Sequence, residues 1–200
     1  MIVVNQHVPS GWLSNFRQPT CVERLVSAPN GDVSGANCSP RLTAMTADHA
    51  RLLADLKLIV SNAQDRTTSL KRVAALLQNT GGYRWVGLYD VDRAAGVVRN
   101  IVWNGPAAPE YPTFPITKGL SGAAVASRET VNVGDVLADP RYLTAFGSTR
   151  SEIIVPVFDA ARENVVGTID VESETRHAFT REVQVLLEAC SDVIRPLWHR

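Results

Sequence analysis

The chain has 200 residues, with twenty Lys+Arg against twenty Asp+Glu. That balance leaves no basic field to draw nucleic acid, and no apolar run reaches the eighteen or so residues of a membrane span. The N-terminus, Met1-Ile-Val-Val-Asn-Gln-His7, lacks a basic stretch followed by a long apolar one, so no secretory signal is read and the expected location is the cytoplasm.

Residues 1–42 scatter Pro9, Gly11, Pro19, Pro29-Asn30-Gly31 and Ser39-Pro40 without helical or strand periodicity. They predict a poorly ordered extension, with the folded domain over 43–200 and Met45 available as a second start. Leu52, Leu53, Leu56, Ile59 and Val60 predict a first amphipathic helix over 47–63. A second follows Asp65–Thr68, with Leu70, Val73, Ala74, Leu76 and Leu77 on its apolar face and Gly81-Gly82 as its stop. Residues 85–91 and 97–103 then read as a hairpin joined by 92–96. Pro106, Pro109, Pro112 and Pro115 break the next stretch into loop. A short helix over 120–127, a strand over 129–133 and a loop or short helix after Asp139-Pro140 lead to the runs 151–158 and 165–173. These two runs read as a second hairpin around the polar connector 159–164. Thr180 caps a last helix over about 181–197. Hairpins flanked by helices make the fold class α+β.

The second hairpin carries the chemistry. Asp170 and Glu172 lie two apart and share one strand face, and Glu152 comes near them when the hairpin closes. Clustered carboxylates repel unless something positive completes them, which marks a binding site. The opposing reading pairs Glu152 with Arg150 and leaves Asp170 and Glu172 solvated. Trp85 and Tyr89 share a strand face with Gly87 between them, leaving room for something flat; such aromatics equally serve as core. Trp103 ends its strand beside the Pro-rich loop, a position at the mouth of a pocket. Gly119 and Gly122 permit a tight turn, whose N–H groups at 120–123 suit an anionic ligand group or serve geometry alone.

Other chemistries find little support. Three cysteines (Cys21, Cys38, Cys190) form no disulfide framework and no zinc spacing, and Cys190 falls on the apolar stripe of the last helix. No cofactor or metal is expected. Ser121 and His177 do not make a hydrolase, because no Gly-x-Ser-x-Gly elbow is present. No central cysteine offers a bilin attachment. For a cyclic nucleotide, Arg141 and Arg150 are the loop cations near the pocket, and the acids repel its phosphate.

The series Trp85-Val-Gly-Leu-Tyr89, Ile116-Thr-Lys-Gly119-Leu-Ser121-Gly122, Asn132-Val-Gly-Asp135, Arg150-Ser-Glu-Ile-Ile-Val-Pro156 and Gly167-Thr-Ile-Asp170-Val-Glu172-Ser173 resembles a GAF domain over about 47–198. Among GAF proteins it is most similar to the free methionine-(R)-sulfoxide reductases. The resemblance implies a GAF/PAS-like central antiparallel sheet of five to six strands, with a ligand pocket on the sheet face under the connecting loops. It also implies that Glu152, Asp170 and Glu172 hold a ligand amino group, as the matching acids of the reductases do. The reductase cysteines match Ser121 and Ala145, where this chain has no sulfur, and a serine hydroxyl cannot perform thiol redox chemistry. The expectation is therefore a non-catalytic sensory module for an amine or amino-acid-like ligand, with Glu152, Asp170, Glu172, Trp85, Tyr89, Trp103 and Ser121 as ligand-binding residues. Apolar faces on the first and last helices suggest a homodimer, and signalling would need a separate partner. Two alternatives stand beside it: a reductase using displaced Cys21 or Cys38, and a protein-interaction or dimerisation scaffold.

Overall fold

The computed structural model describes residues 46–144 and 146–198. The 1–42 extension, Cys21, Cys38 and Ala145 lie outside the described residues. The Thr46 hydroxyl accepts from the His49 N–H to start α1 (Ala47–Ser61), and the Asp65 carboxylate accepts from the Thr68 N–H to start α2 (Arg66–Gly81). Each cap satisfies a first-turn amide and stabilises its helix by about 1 kcal/mol. α2 ends as predicted at Gly82, which is left-handed at φ 63°. β1 (Trp85–Asp92) and β2 (Val97–Asn104) form the first hairpin.

The Pro-rich stretch is not all loop. β3 (Thr113–Pro115) pairs antiparallel with β2, and its Pro115 is tolerated because it is an edge strand. After α3 (Gly119–Ser127) comes β4 (Val131–Val133), two residues shorter at its start than predicted. A 3-10 turn over Val136–Ala138, not singled out from the sequence, precedes Asp139-Pro140, and the described residues between that pair and β5 are loop, one of the two expected forms. β5 (Ser151–Phe158) and β6 (Val165–Ser173) form the second hairpin. α4 (Arg181–Ile194) starts on the Thr180 cap. It gives way to a 3-10 turn over Arg195–Trp198 because Pro196 has no N–H to continue the ladder.

The six strands make one antiparallel sheet in the order β3-β2-β1-β6-β5-β4. Both edges are three-residue strands, too short to template another chain. The alternation along the central strands divides the sheet into two unlike faces. Val86, Leu88, Val102, Ile153, Val155, Ile169 and Val171 point toward α1, α2 and α4, where Leu56, Leu70, Val73, Leu77, Leu187 and Ile194 meet them. Each fully buried aliphatic side chain there contributes about 1.5–3 kcal/mol. Cys190 belongs to this core, and burial pushes its thiol up to about 12. The fold is therefore α+β, with α1, α2 and α4 on one face and α3 with the connecting loops on the other. Among the described residues no helix is long and apolar enough to cross a membrane.

Candidate ligand-binding site

The second face carries the odd-numbered residues of β1 and the even-numbered residues of β5 and β6. Register brings them into rows: Glu152 stands opposite Glu172, Ile154 opposite Asp170, Gly87 opposite Asp170 and Trp85 opposite Glu172. The three acids therefore converge, with carboxylate oxygens within 4.8 Å of one another. All are buried, at 7 % exposure for Glu152, 6 % for Asp170 and 2 % for Glu172. Arg150 does not pair with Glu152; its guanidinium donates to the Gly147 and Thr149 carbonyls at 3.1 and 2.9 Å. Neither opposing reading of the acids, an arginine pair or a solvated face, describes them.

Burial is the main force on these groups, and it disfavours the charged form. Together with the neighbouring charges of Asp170 and Glu172, it holds the Glu152 carboxyl well above the ordinary carboxylate range. Burial and Glu172 do the same to Asp170. Glu172 is pushed up by burial to about 7, restrained by a hydrogen bond from the Thr149 hydroxyl and by the positive Arg84. Asp170 Oδ1 is buried and has no hydrogen-bond partner. An orphaned acceptor of this kind costs about 1–3 kcal/mol unless a ligand supplies a donor.

A cavity of about 30 Å³ lies over the acids, closed by Tyr89, Tyr111, Phe114, Leu143, Ser121 and the start of α3. α3 begins at Lys118 without a side-chain cap, which leaves its first N–H groups without a capping acceptor, and Gly119, Leu120 and Ser121 of that first turn line the cavity. Gly119 makes this entry possible: it is left-handed at φ 73°, and a Cβ there would also come within 3.0 Å of Leu143. The buried Ser121 hydroxyl lines the same cavity. One small space thus combines hydrogen-bond acceptors on the sheet with N–H donors on α3. Its donor atoms are all oxygen, so a bound metal there would be a hard cation rather than zinc.

The aromatic expectations divide. Tyr89 lines the cavity, packed edge-on against Phe114 at 6.0 Å. Its hydroxyl is pushed well above the ordinary phenol value by burial and then by Asp170, Glu152 and Glu172. Trp85 sits on the same sheet face but does not line the cavity. Its indole lies across Gly87, where a Cβ would come within 2.1 Å of the ring, and its N–H donates to the Ala107 carbonyl at 3.1 Å. The room beside Gly87 is filled by the chain's own tryptophan, supported by Phe146 at 5.7 Å. Trp103 pairs with Gly87 from the far side of β1. That places it two strands, about 10 Å, from Asp170, with the Trp85 ring between them. It is 37 % exposed and does not line the cavity. His177 is exposed and away from Ser121's cavity.

Two residues of the site were not singled out from the sequence. Thr149 is buried and donates to Glu172 Oε2. Arg84 stacks over Phe146 at 5.0 Å and pairs with Glu174 at 2.6 Å, while its Nη1 stays buried without a partner. A cation just before a strand that pairs with the acid-bearing one was the available signal for Arg84. Thr149 had none, because its contact is made only when the 140–150 loop closes.

A family model for the GAF domain matches residues 65–195. The chain is 26% identical over 131 residues to GAF domain-containing protein A of Dictyostelium discoideum, covering 66% of this chain and 80% of that protein. It is 23% identical over 140 residues to the free methionine-R-sulfoxide reductase of Escherichia coli, covering 68% and 80%. The structure of the free methionine-R-sulfoxide reductase of Neisseria meningitidis in complex with its substrate superposes with a TM-score of 0.70 at 28% identity, covering 76% of this chain and 88% of that one. Fold and family match agree: the chain belongs to the GAF domain family.

Proposed function

We propose that this chain is a non-catalytic GAF module that recognises a small ligand by its ammonium group, an amine or an amino-acid-like molecule. The observation that carries this reading is the convergence of three buried carboxylates, one with an oxygen lacking a partner, on a single cavity. An ammonium offers three donors and one positive charge, which suits three acceptors held in a small space. The N–H groups of α3 across the cavity suit a ligand carboxylate. A volume of about 30 Å³ takes the charged head of such a ligand. Turnover is disfavoured because Ser121 stands where the reductases have sulfur, and Cys190 is a buried thiol pushed up to about 12. In this reading the output passes to a separate partner, or to a second copy across the α1–α4 layer, where Leu58 and Val185 are exposed.

A thermal-shift screen of amino acids, methionine sulfoxide, polyamines and cyclic nucleotides tests it on wild type and on Asp170→Asn. A ligand at a hundredfold excess over Kd stabilises the protein by about 2.7 kcal/mol, and the shift disappears in the variant. No shift with any compound leaves the interaction scaffold in its place. The likeness to the reductases supports a second reading, reduction of free methionine sulfoxide through Cys21 or Cys38. That reading requires reductant consumption with the free sulfoxide, abolished in Cys21→Ser or Cys38→Ser.

A further inference from the structure

Three carboxylates present more negative charge than one ammonium neutralises. Their oxygens lie within 4.8 Å of one another, and like charges at that spacing, away from water, do not all ionise together. Glu152 and Asp170 each oppose or adjust the other's ionisation, and among the described residues no hydroxyl like that of Thr149 on Glu172 donates to either. Two carboxyl groups this close can share a hydrogen bond only with a proton on one of them. Asp170 is more than nine-tenths buried and lines the cavity, and its buried Oδ1 has no hydrogen-bond partner.

The surroundings do not supply the missing positive charge. From β1, Tyr89 faces the acids as a neutral phenol, held so by burial and by the acids themselves. Arg84, just before β1, draws Glu172 down but commits its Nε to Glu174. Arg150 is committed to two backbone carbonyls. Asp139, after the 3-10 turn, adds a further negative charge near Glu152. Ser121 on α3 and Thr149 before β5 are uncharged hydroxyls, and Tyr111 in the loop before β3 is a phenol whose ionisation Glu110 further opposes.

We propose that the empty pocket stores one proton on the Glu152–Asp170 pair and that an ammonium entering the pocket displaces it, making ligand binding and proton release one exchange. This rests on the ammonium reading above. The bond that breaks is the carboxyl O–H; the proton leaves to solvent, the ammonium keeps its three N–H bonds, and no other bond is made or broken. An alkylammonium stays charged well beyond neutrality, near the lysine value of about 10.4, so the pH dependence belongs to the pocket. Apparent affinity then rises about tenfold per pH unit while one proton is exchanged.

Two measurements on the whole chain test this. A carbon-13 NMR titration of side-chain carboxyls in the ligand-free protein should show one proton still held on the Glu152–Asp170 pair above about pH 7, where Glu172 ionises, its signal lost in Glu152→Gln. Calorimetry with methylammonium chloride, in two buffers of different ionisation enthalpy, should show release of about one proton per ligand. Glu152→Gln or Asp170→Asn should release none. Three carboxylates fully ionised near neutral pH without ligand overturn the stored proton, whether or not anything binds. Methylammonium binding with no buffer dependence overturns the exchange while leaving the ammonium reading intact. A stored proton with no binding of methylammonium or of any amine in the screen overturns the ammonium reading, and the exchange with it.

Discussion

The two faces of the sheet are built from the same strands and meet opposite demands. The face under α1, α2 and α4 is aliphatic, and the serine hydroxyls buried on those helices are matched: Ser69 donates to the Asp65 carbonyl at 2.8 Å and Ser191 to the Pro156 carbonyl at 2.6 Å. The face under α3 and the loops buries three acids, leaves Asp170 Oδ1 without a donor and has no regular helical layer over it. Alternation makes this division simple, since each strand residue is assigned to one environment without altering its neighbour. One face therefore stabilises the fold, and the other gives up part of that stability to a polar cavity, the pattern expected where a site is grafted on a scaffold.

Truncation on the helix face should have the largest effect. Leu70 is fully buried between α2 and the sheet, so Leu70→Ala removes packing and leaves a void costing about 2–5 kcal/mol. Urea unfolding should show the midpoint fall while the ligand response per unit of folded protein stays unchanged. A lost response at full folding would mean that the two faces are coupled rather than separate.

The acid face should show itself through pH. Glu172 has an ordinary value of 4.5 and about 7 in the folded protein, so the folded state holds its proton more tightly than the unfolded chain. Its contribution is fully present below about pH 4.5 and is lost as pH rises through about 7. Over that window the ligand-free protein should lose about 3 kcal/mol from this group, with Glu152 and Asp170 acting in the same direction. Denaturation at several pH values should show that decline, flattened in Glu172→Gln. Stability that instead rises toward neutrality would mean the acids are neutralised by a cation in the folded protein.

Next in size is Gly87→Ala. The new Cβ would come within 2.1 Å of the Trp85 ring, and the indole has little freedom because Phe146 and Tyr89 hold it. The expected cost is about 1–3 kcal/mol, with a weakened ligand shift because Tyr89 moves with Trp85. An unchanged ligand shift would show that the aromatic wall is independent of the cavity.

Legibility followed the same division. The helix face could be read because its signal is periodic: the spacing of Leu52, Leu56 and Ile59, or of Val183, Leu187 and Ile194, is enough to say which side turns inward. The acids could be read only in part: Asp170 and Glu172 share a face by their spacing, but a regular hairpin closing Phe158 on Val165 would set Glu152 opposite Val171, and it is the register shift between Val157 and Phe158 that sets it opposite Glu172. The loop-side cover could not. β3 is hidden by Pro112 and Pro115, which read as loop and are harmless only because the strand is at an edge. Thr149 reaches Glu172 through tertiary closure alone. Beside Gly87 the sequence predicts an open slot, and whether it is filled by a ligand or by Trp85 depends on a side-chain rotamer that periodicity does not encode.

The smallest effect should come from the margin that belongs to neither face. Arg66 grips Asp90 through two nitrogens, at 3.1 and 2.5 Å, donates its Nε to the Leu197 carbonyl at 2.9 Å and lies over the Trp198 ring at 5.6 Å. The geometry is bidentate, but the two side chains keep 30% and 37% of their surface in solvent, and water screens most of the attraction. Asp90→Asn should therefore cost no more than about 1 kcal/mol, shrinking further in high salt. Arg66→Ala should cost more than Asp90→Asn, because it also releases the carbonyl and ring contacts that hold the C-terminal turn against α2. If the two variants were equal, the ion pair would be the whole of the anchor. If Asp90→Asn cost as much as Leu70→Ala, the assignment of stability to the helix face would fail.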